Sequence, residues 1–381
     1  MADRLTEHRR ELHRIPELDF DLPDTRAYIT GVLSKLPCEI VPAGRTGLCA
    51  YFDAGMPDTA AFRSDMDALP VTEANDCDYA STRPGRMHAC GHDGHMAVLL
   101  GFAEEISRRM DALPHNVLLI FQAAEETMGG AQDICDTGVF ERYNVSKVFG
   151  LHLWPGYEKG AVVCRKGAFM AEACILRIDI FGKSVHAAAA EKGVDALAAG
   201  ARFVTAAYEA ESGLFPDDVF RLLKFGVFES GTATNVISGH TVLRGTMRCF
   251  EEDVHRRMKD GLRAVASRVE REFGCRVEID FIGHCPAVRN DPALFDSFRD
   301  ALCGTPGRLP DGDAGESFSF IEADKPTMTS EDFSVYQRKV PGIFFHLGLG
   351  HNTPLHSADF DFDESVLSVG VKAFLRVLYS I

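Results

Sequence analysis

Apolar runs alternate with helical segments over the first part of the chain. The strand-like runs are residues 46–52, 59–63, 117–122 and 147–153. Residues 93–112 have helical periodicity with Asp93 as the expected N-cap, and residues 1–36 are predicted to form two helical pieces broken near Pro16 and Pro23. Apolar strands that alternate with helices are typical of a mostly parallel sheet with helices on both faces.

The pattern changes from about residue 170. The predicted order there is a strand at 173–181, a helix at 194–211, strands at 221–228 and 241–249, a helix at 251–273 and a strand at 277–282. This β-α-β-β-α-β order is the ferredoxin-like plan. We therefore predict an α/β fold in which a larger domain, residues 1–169 and 284–381, contains an inserted α+β domain at 170–283. The larger domain continues with a Gly-, Pro- and Asp-rich loop at 304–317 and a strand at 342–348.

Composition narrows the class of protein. Of the 381 residues, 46% are hydrophobic and 25% are charged, which is ordinary for a globular protein of about two domains. The formal net charge of −16 argues against nucleic acid or an anionic membrane as partner. No run approaches the ~20 apolar residues of a membrane span. Eleven scattered cysteines and a charged N-terminus without the apolar core of a signal peptide predict reduced thiols and a cytoplasmic location.

Two segments carry candidate chemistry. Residues 87–95 contain Cys90 and three histidines, and Glu125 and Glu126 follow the apolar run at 117–122. Thiolate, imidazole and carboxylate are ligands for divalent transition metals. One carboxylate of the pair could bind metal while its neighbour accepts a proton from metal-bound water. The combination predicts a metal-dependent hydrolase.

Asp65, Asp67 and His152 also lie where strand-like runs end. Because ligands bind at the carboxyl ends of parallel strands, we expect these residues to meet in one crevice. The predicted ligands are Cys90, His92, Glu126, His152 and His356. Five ligands and a water suit two metal ions better than one. Since this set suffices, Asp65 and Asp67 are expected to orient an imidazole instead of binding metal. His88 and His95 are likewise expected to support the site without binding metal.

These motifs resemble the dinuclear metal-dependent amidohydrolase and metallopeptidase family. It includes bacterial aminoacylases, hippurate hydrolases, N-acetyldiaminopimelate deacetylases and plant indole-acetyl-amino-acid hydrolases. The resemblance runs through nearly the whole chain and includes Arg-Ser-Asp-Met-Asp-Ala-Leu-Pro and Met-His-Ala-Cys-Gly-His-Asp. The matching segments are residues 9–18, 63–70, 87–93, 122–126, 330–333 and 355–357.

The resemblance implies two divalent ions per subunit on the five ligands, with Mn, Zn, Co and Ni all open, and Glu125 as general base. It implies that the inserted domain is a lid and the surface of a homodimer. Within that domain, His186 would act in the partner subunit's active site, and Asn235 and Arg248 would hold the substrate. The implied substrate is a small molecule.

The chain departs from the family pattern in the lid and in the segment before the glutamate pair. Val185 replaces the glycine before the lid histidine, Ala190 and Glu191 replace a Pro-His pair, and Ala123 stands where a proline is usual. Specificity is therefore not fixed by the resemblance.

The expected reaction is hydrolysis of the amide bond of N-acyl amino acids. The alternatives are an N-acetyldiaminopimelate deacetylase and a dipeptide-cleaving carboxypeptidase. A non-catalytic metal-binding protein is disfavoured because Glu125 and all ligands are present. A thiol redox enzyme centred on Cys90 is disfavoured because the nearest cysteine in sequence is Cys77.

Overall fold

The computed structural model describes residues 2–304 and 318–381. They form two compact units. The large unit comprises the described residues of Met1–Phe169, Val288–Pro326 and Glu331–Ile381, and the small unit comprises Met170–Ala287 and Thr327–Ser330. The small unit thus continues past residue 283, the predicted end of the inserted domain. Apart from Gly304, the loop predicted at 304–317 lies outside the described residues.

The helices are α1 (Ala2–His13), α2 (Pro23–Leu33), α3 (His92–Ser107), α4 (Gly130–Cys135), α5 (Val139–Arg142), α6 (Ala196–Leu214), α7 (Glu252–Phe273), α8 (Pro292–Cys303) and α9 (Leu367–Leu378). Short 3-10 helices lie at Met110–Ala112, Ala187–Lys192, Asp332–Arg338 and Glu364–Val366. Over the described ranges, no helix is both long and apolar enough to cross a membrane.

The strands are β1 (Glu39–Ala43), β2 (Gly47–Phe52), β3 (Thr59–Asp65), β4 (Asn116–Gln122), β5 (Val145–Trp154), β6 (Val162–Cys164), β7 (Gly167–Met170), β8 (Glu172–Phe181), β9 (Arg221–Ser230), β10 (His240–Cys249), β11 (Arg276–Cys285), β12 (Val288–Asn290), β13 (Phe320–Glu322) and β14 (Gly342–Gly348).

The large unit is built on an eight-stranded sheet of order β1-β2-β4-β3-β5-β14-β6-β13. Its central strands β4, β3, β5 and β14 run parallel, and antiparallel pairs flank them. Every residue of β3, β4 and β14 is buried, so both faces of the central sheet are covered. The predicted mostly parallel α/β architecture is confirmed.

The small unit is a four-stranded antiparallel sheet of order β11-β8-β10-β9 with α6 and α7 packed on one face. The apolar core lies between that face and the helices, and β11 alternates between exposed and partly buried residues. The strands and helices follow in the predicted β-α-β-β-α-β order, which confirms the ferredoxin-like plan.

Two helix starts differ from the prediction. Helix α3 begins at His92, and its N-cap is Gly91 in the left-handed conformation with φ of +83°. Asp93 is not the cap: its buried carboxylate accepts hydrogen bonds from Arg9 and His13, at 2.9 and 2.7 Å. Pro23 begins α2 instead of interrupting a helix, because proline is compatible with the first helical turn.

Candidate functional site

The carboxyl ends of three neighbouring parallel strands carry most of the candidate residues. Asp65 ends β3 and pairs in register with Gln122, which ends β4. Glu125 and Glu126 follow in the loop after β4, and His152 lies near the end of β5. Because these strands are parallel neighbours, the residues meet at one edge of the sheet in the large unit.

Two loops complete the arrangement. Cys90 and His92 flank Gly91 at the start of α3. His356, in the loop after β14, donates its backbone N–H to the carbonyl oxygen of Ala89 at 2.8 Å. His356 itself adopts a left-handed conformation with φ of +66°, which is uncommon for a residue with a side chain. The hydrogen bond places this imidazole beside the Cys90 segment.

All five predicted ligands come together. Cys90 Sγ lies 3.4 Å from His152 Nε2, and Glu126 Oε1 lies 3.8 Å from His92 Nε2 and 3.3 Å from His356 Nε2. The donor atoms form two triads that share the thiol, Cys90–His92–His152 and Cys90–Glu126–His356, each with its atoms within 4.8 Å of one another. A shared thiol between two triads suits a pair of closely spaced metal ions.

The imidazoles are oriented as metal ligands. Nδ1 of His92 donates to the carbonyl oxygen of Asp67, and Nδ1 of His152 donates to that of Leu153, both at 2.7 Å. Each ring therefore turns the lone pair of Nε2 towards the cluster. His92 Nε2 is buried without a hydrogen-bond partner. Because buried polar atoms are normally satisfied, this atom fits direct ligation of a divalent transition metal.

The two aspartates hold different parts of the site. The carboxylate of Asp67 accepts the backbone N–H groups of Glu125 and Glu126, at 3.0 and 3.1 Å, and so orients the glutamate loop. Asp65 accepts a hydrogen bond from His95 Nδ1 at 2.7 Å, and its second oxygen lies 3.6 Å from His92 Nε2. An aspartate carboxylate thus orients the ring of His95, whereas a backbone oxygen orients that of His92.

The two remaining histidines of the segment differ. His95 Nε2 accepts the backbone N–H of Leu153 at 2.9 Å, so both of its ring nitrogens are engaged within the fold. His88 is buried, and neither of its ring nitrogens has a hydrogen-bond partner. Burial lowers the pKa of His88 to about 3, so this imidazole is neutral.

The loop that carries Glu125 and Glu126 is tightly constrained. Ala124 adopts a left-handed conformation with φ of +53°. A Cβ atom on Gly130 would lie 1.6 Å from the carbonyl oxygen of Ala123, so only glycine fits this approach. Such backbone constraint is found where a fold positions functional side chains.

A buried ionic network supports the site, and neither the motifs nor the strand pattern predicted it. Arg63 on β3 donates to Asp65 and Asp332, at 2.9 and 3.1 Å, and lies 3.0 Å from Glu331. Gln122 donates to Asp332 at 2.7 Å. The available signal was an arginine directly after the apolar residues 60–62, since an arginine buried in a strand requires anionic partners.

The site is crowded with anionic groups. Burial, together with Glu126, raises the pKa of the Cys90 thiol well above its usual value. Burial also raises the pKa of Asp67 to about 7, and burial with the neighbouring Glu331 and Glu126 raises that of Glu125 well above its usual value. Bound divalent cations would favour the ionised forms of these groups, so the electrostatics fit a metal centre.

The predicted substrate-binding residues lie in the small unit. His186 and Asn235 are exposed, and the backbone N–H of Ala187 donates to the carbonyl oxygen of Asn235 at 2.9 Å, so these two residues are neighbours. Arg248 is the penultimate residue of β10, and its guanidinium donates to Thr246 Oγ1 at 3.0 Å. Asn235 precedes the start of this strand. At about 3.4 Å per residue, Arg248 lies roughly 27 Å along the strand from its first residue, His240, so Arg248 does not join the other two.

Comparisons with known proteins cover nearly the whole chain. A model of the family described as Peptidase family M20/M25/M40 matches residues 61–380. An uncharacterized hydrolase of Staphylococcus epidermidis is 34% identical over 372 residues, which cover 95% of this chain and 94% of that protein. An N-acetyldiaminopimelate deacetylase of Streptococcus pneumoniae is 33% identical over 377 residues, which cover 97% and 96%. A crystal structure from Bacillus subtilis, described as a dinuclear metal-binding peptidase of the M20 family, has a TM-score of 0.84 and 29% identity, with 100% of this chain and 99% of that chain covered.

Proposed function

Because the chain belongs to peptidase family M20/M25/M40, we propose that this hydrolase cleaves the amide bond of N-acyl amino acids in a metal-dependent reaction. The observation that carries the proposal is that Glu125 lies in the donor cluster beside Glu126. His92, Glu125 and Glu126 each offer one possible ligand atom, and these atoms lie within 4.8 Å of one another. The cluster thus combines a complete set of metal ligands with a carboxylate that is not needed for binding metal. That combination is what hydrolysis by metal-activated water requires.

We infer that each chain holds two divalent ions. One triad is Cys90, His92 and His152, and the other is Cys90, Glu126 and His356. The similarity to a protein described as a dinuclear metal-binding peptidase supports the number. The mixed thiolate, imidazole and carboxylate set is compatible with Zn, Mn, Co or Ni.

When bound, the ions supply Lewis acidity for the amide carbonyl and lower the pKa of water. Glu125 accepts the proton of the attacking water and then donates it to the leaving amine. Asp67 keeps the Glu125 backbone in place through the 3.0 Å hydrogen bond from its N–H. His186 donates a hydrogen bond to the carbonyl oxygen of the acyl group, which becomes an oxyanion as water adds to the acyl carbon.

We further propose that the working unit is a homodimer formed through the small unit. Arg248 and Asn235 lie at opposite ends of β10 and cannot hold one substrate carboxylate within a single chain. A site that uses both takes Arg248 from one chain and Asn235, with its neighbour His186, from the other. Guanidinium suits the carboxylate because it forms charge-assisted hydrogen bonds with it.

The free cysteines throughout the described residues support a reducing, cytoplasmic setting.

A second candidate function is deacetylation of N-acetyldiaminopimelate. The 33% identity to a Streptococcus pneumoniae N-acetyldiaminopimelate deacetylase over almost the full length favours it. The bond broken and the catalytic groups are the same as for other N-acyl amino acids. The two candidates differ only in the side chain that the enzyme accepts.

Turnover of a substrate panel tests both. We would measure release of free amino acid from N-acetyl, N-benzoyl and longer N-acyl amino acids, dipeptides and N-acetyldiaminopimelate, with Mn, Zn, Co or Ni. Glu125→Gln should keep the bound metal and lose about 100- to 10,000-fold in kcat. Glu39→Gln, on an exposed carboxylate of β1, is the matched control and should retain full activity.

The preferred substrate selects between the two candidates. Metal-dependent release that is confined to N-acetyldiaminopimelate would establish the second. Absence of release from every acyl amino acid by the metal-loaded enzyme, or full activity of Glu125→Gln, would reject the proposal.

A further inference from the structure

The small unit contains its own cluster of metal-binding side chains. Glu172, His255 and His284 offer one carboxylate oxygen and two imidazole nitrogens, all within 4.8 Å of one another. His284 Nε2 lies 2.7 Å from Glu172 Oε1, and His255 Nδ1 contacts the same oxygen. The two imidazole rings stack with centroids 4.9 Å apart and planes inclined by 6°. None of these residues belongs to the cluster around Cys90.

An irregularity in the sheet brings His284 to this position. The pairing of β11 with β8 shifts between Ile282 and Cys285, and Gly283 within the shift has a φ of +60°. Such a bulge changes the direction in which the following side chains point. Glu172 lies at the start of β8, and His255 lies in the first turns of α7. The cluster therefore joins both outer ends of the inserted sequence to a helix.

The cluster contains unsatisfied buried atoms. Glu172 and His255 are 2% and 5% exposed, and Glu172 Oε2 and His255 Nε2 have no hydrogen-bond partner. Buried polar atoms without partners are rare and indicate a ligand or a water that the site is built to hold. The His284 side chain is 36% exposed, which gives an ion a path from solvent.

We propose that Glu172, His255 and His284 bind a divalent transition metal of the zinc type. Two imidazoles and a carboxylate are ligands that such ions prefer, and three protein ligands leave a coordination position for water. The site contains no thiolate, so its chemistry differs from that of the cluster around Cys90. The bound ion cross-links β8, β11 and α7 and stabilises the small unit.

The same sheet supplies an internal comparison. His240 Nε2 bonds to Asp179 Oδ1 at 2.9 Å, and Arg177 pairs with the same carboxylate. That carboxylate already has a cationic partner, the guanidinium of Arg177. His240 and Asp179 therefore form a histidine–carboxylate pair that should not bind metal.

Metal stoichiometry of the full-length protein tests the proposal. We would remove metal with a chelator, titrate the wild type, His284→Asn, His240→Asn and Glu125→Gln with Zn²⁺, and count bound equivalents by dialysis and elemental analysis. His284→Asn should bind one equivalent fewer than the wild type, whereas His240→Asn and Glu125→Gln should bind as many. His284 is partly exposed, so its replacement leaves the fold intact, and thermal unfolding without metal verifies this.

Titration with Co²⁺ identifies the ligands. The equivalent lost in His284→Asn should add ligand-field absorption without a thiolate-to-metal charge-transfer band, because no cysteine takes part. Zn²⁺ should also raise the melting temperature less in His284→Asn than in His240→Asn. Equal stoichiometry in His284→Asn and the wild type would overturn the proposal, as would an equal loss in His240→Asn. Turnover tests Glu125 separately, so failure of either proposal is recognised independently of the other.

Discussion

The backbone N–H of His356 donates a hydrogen bond to the carbonyl oxygen of Ala89 at 2.8 Å. This contact joins the loop after the last strand to the segment that carries Cys90. It fixes the backbone of His356 in the left-handed conformation while its imidazole faces Glu126 at 3.3 Å. A candidate ligand from the end of the chain is thus positioned by a main-chain contact, independently of its side chain.

Replacing His356 should therefore remove a candidate metal ligand without moving the loop. Asparagine tolerates the left-handed conformation, so His356→Asn preserves the backbone. We expect metal affinity to fall at least about tenfold, since even the groups that only orient a ligand contribute this much. Turnover measured against metal concentration should shift to higher concentrations by the same factor.

The control for this variant is His115→Asn. His115 binds Asp58 at 2.7 Å at a distant position in the large unit, so its loss should leave the metal dependence unchanged. An unaltered metal dependence in His356→Asn would exclude this residue as a ligand.

The architecture could be predicted because its strands are locally distinctive. Runs such as residues 117–121 are buried on both faces and therefore apolar throughout, which marks them in the sequence. The candidate ligands could be predicted because their residue types are rare in such density and lie at strand ends. Both signals are local properties of short segments.

The contacts of the supporting groups could not be predicted because their partners lie far apart in the sequence. Two partners of Arg63, Glu331 and Asp332, lie far along the chain, and no periodicity connects them to it. Asp93 has the position and residue type of an N-cap, yet its burial beside Arg9 decides its role. His95 differs from His92 only in having both ring nitrogens occupied, which depends on the neighbouring strand. In each case the tertiary partner outweighs the local preference.

Arg63 should be a determinant of stability. In Arg63→Met, the buried carboxylates of Asp65, Glu331 and Asp332 lose their cationic partner, so we expect the free energy of unfolding to fall by about 3–5 kcal/mol. Chemical denaturation of the metal-free protein measures this. Arg142→Met, which breaks an exposed pair with Glu39, should cost less than about 1 kcal/mol. Similar losses in the two variants would contradict the importance assigned to burial.

Gly130 should control the placement of the glutamate loop. The added methyl group in Gly130→Ala would lie 1.6 Å from the carbonyl oxygen of Ala123, so the segment next to Glu125 and Glu126 must shift. A misplacement of about 1 Å can cost about 100-fold in rate, and we expect kcat to fall by at least about tenfold.

The control for this variant is Gly31→Ala. A Cβ on Gly31, within α2, meets no atom within 4 Å, so the substitution should raise stability by up to about 1 kcal/mol and leave kcat unchanged. Full activity of Gly130→Ala would show that the loop tolerates the displacement.

His13 should make stability depend on pH above neutrality. Burial opposes protonation of its imidazole, but Asp93 and Glu73 raise its pKa from 6.5 to about 9 in the folded protein. Protonated His13 therefore stabilises the fold fully below about pH 6.5, and this contribution is lost as the pH rises through about 9. The difference between the two pKa values corresponds to at most about 3–4 kcal/mol. We would measure unfolding free energies of the wild type and His13→Gln between pH 6 and about 10 at one fixed metal concentration. Since metal binding also depends on pH, the difference between the two proteins is the relevant quantity, and it should shrink as the pH rises. A difference that stays constant over this range would show that His13 does not carry the proton in the folded state.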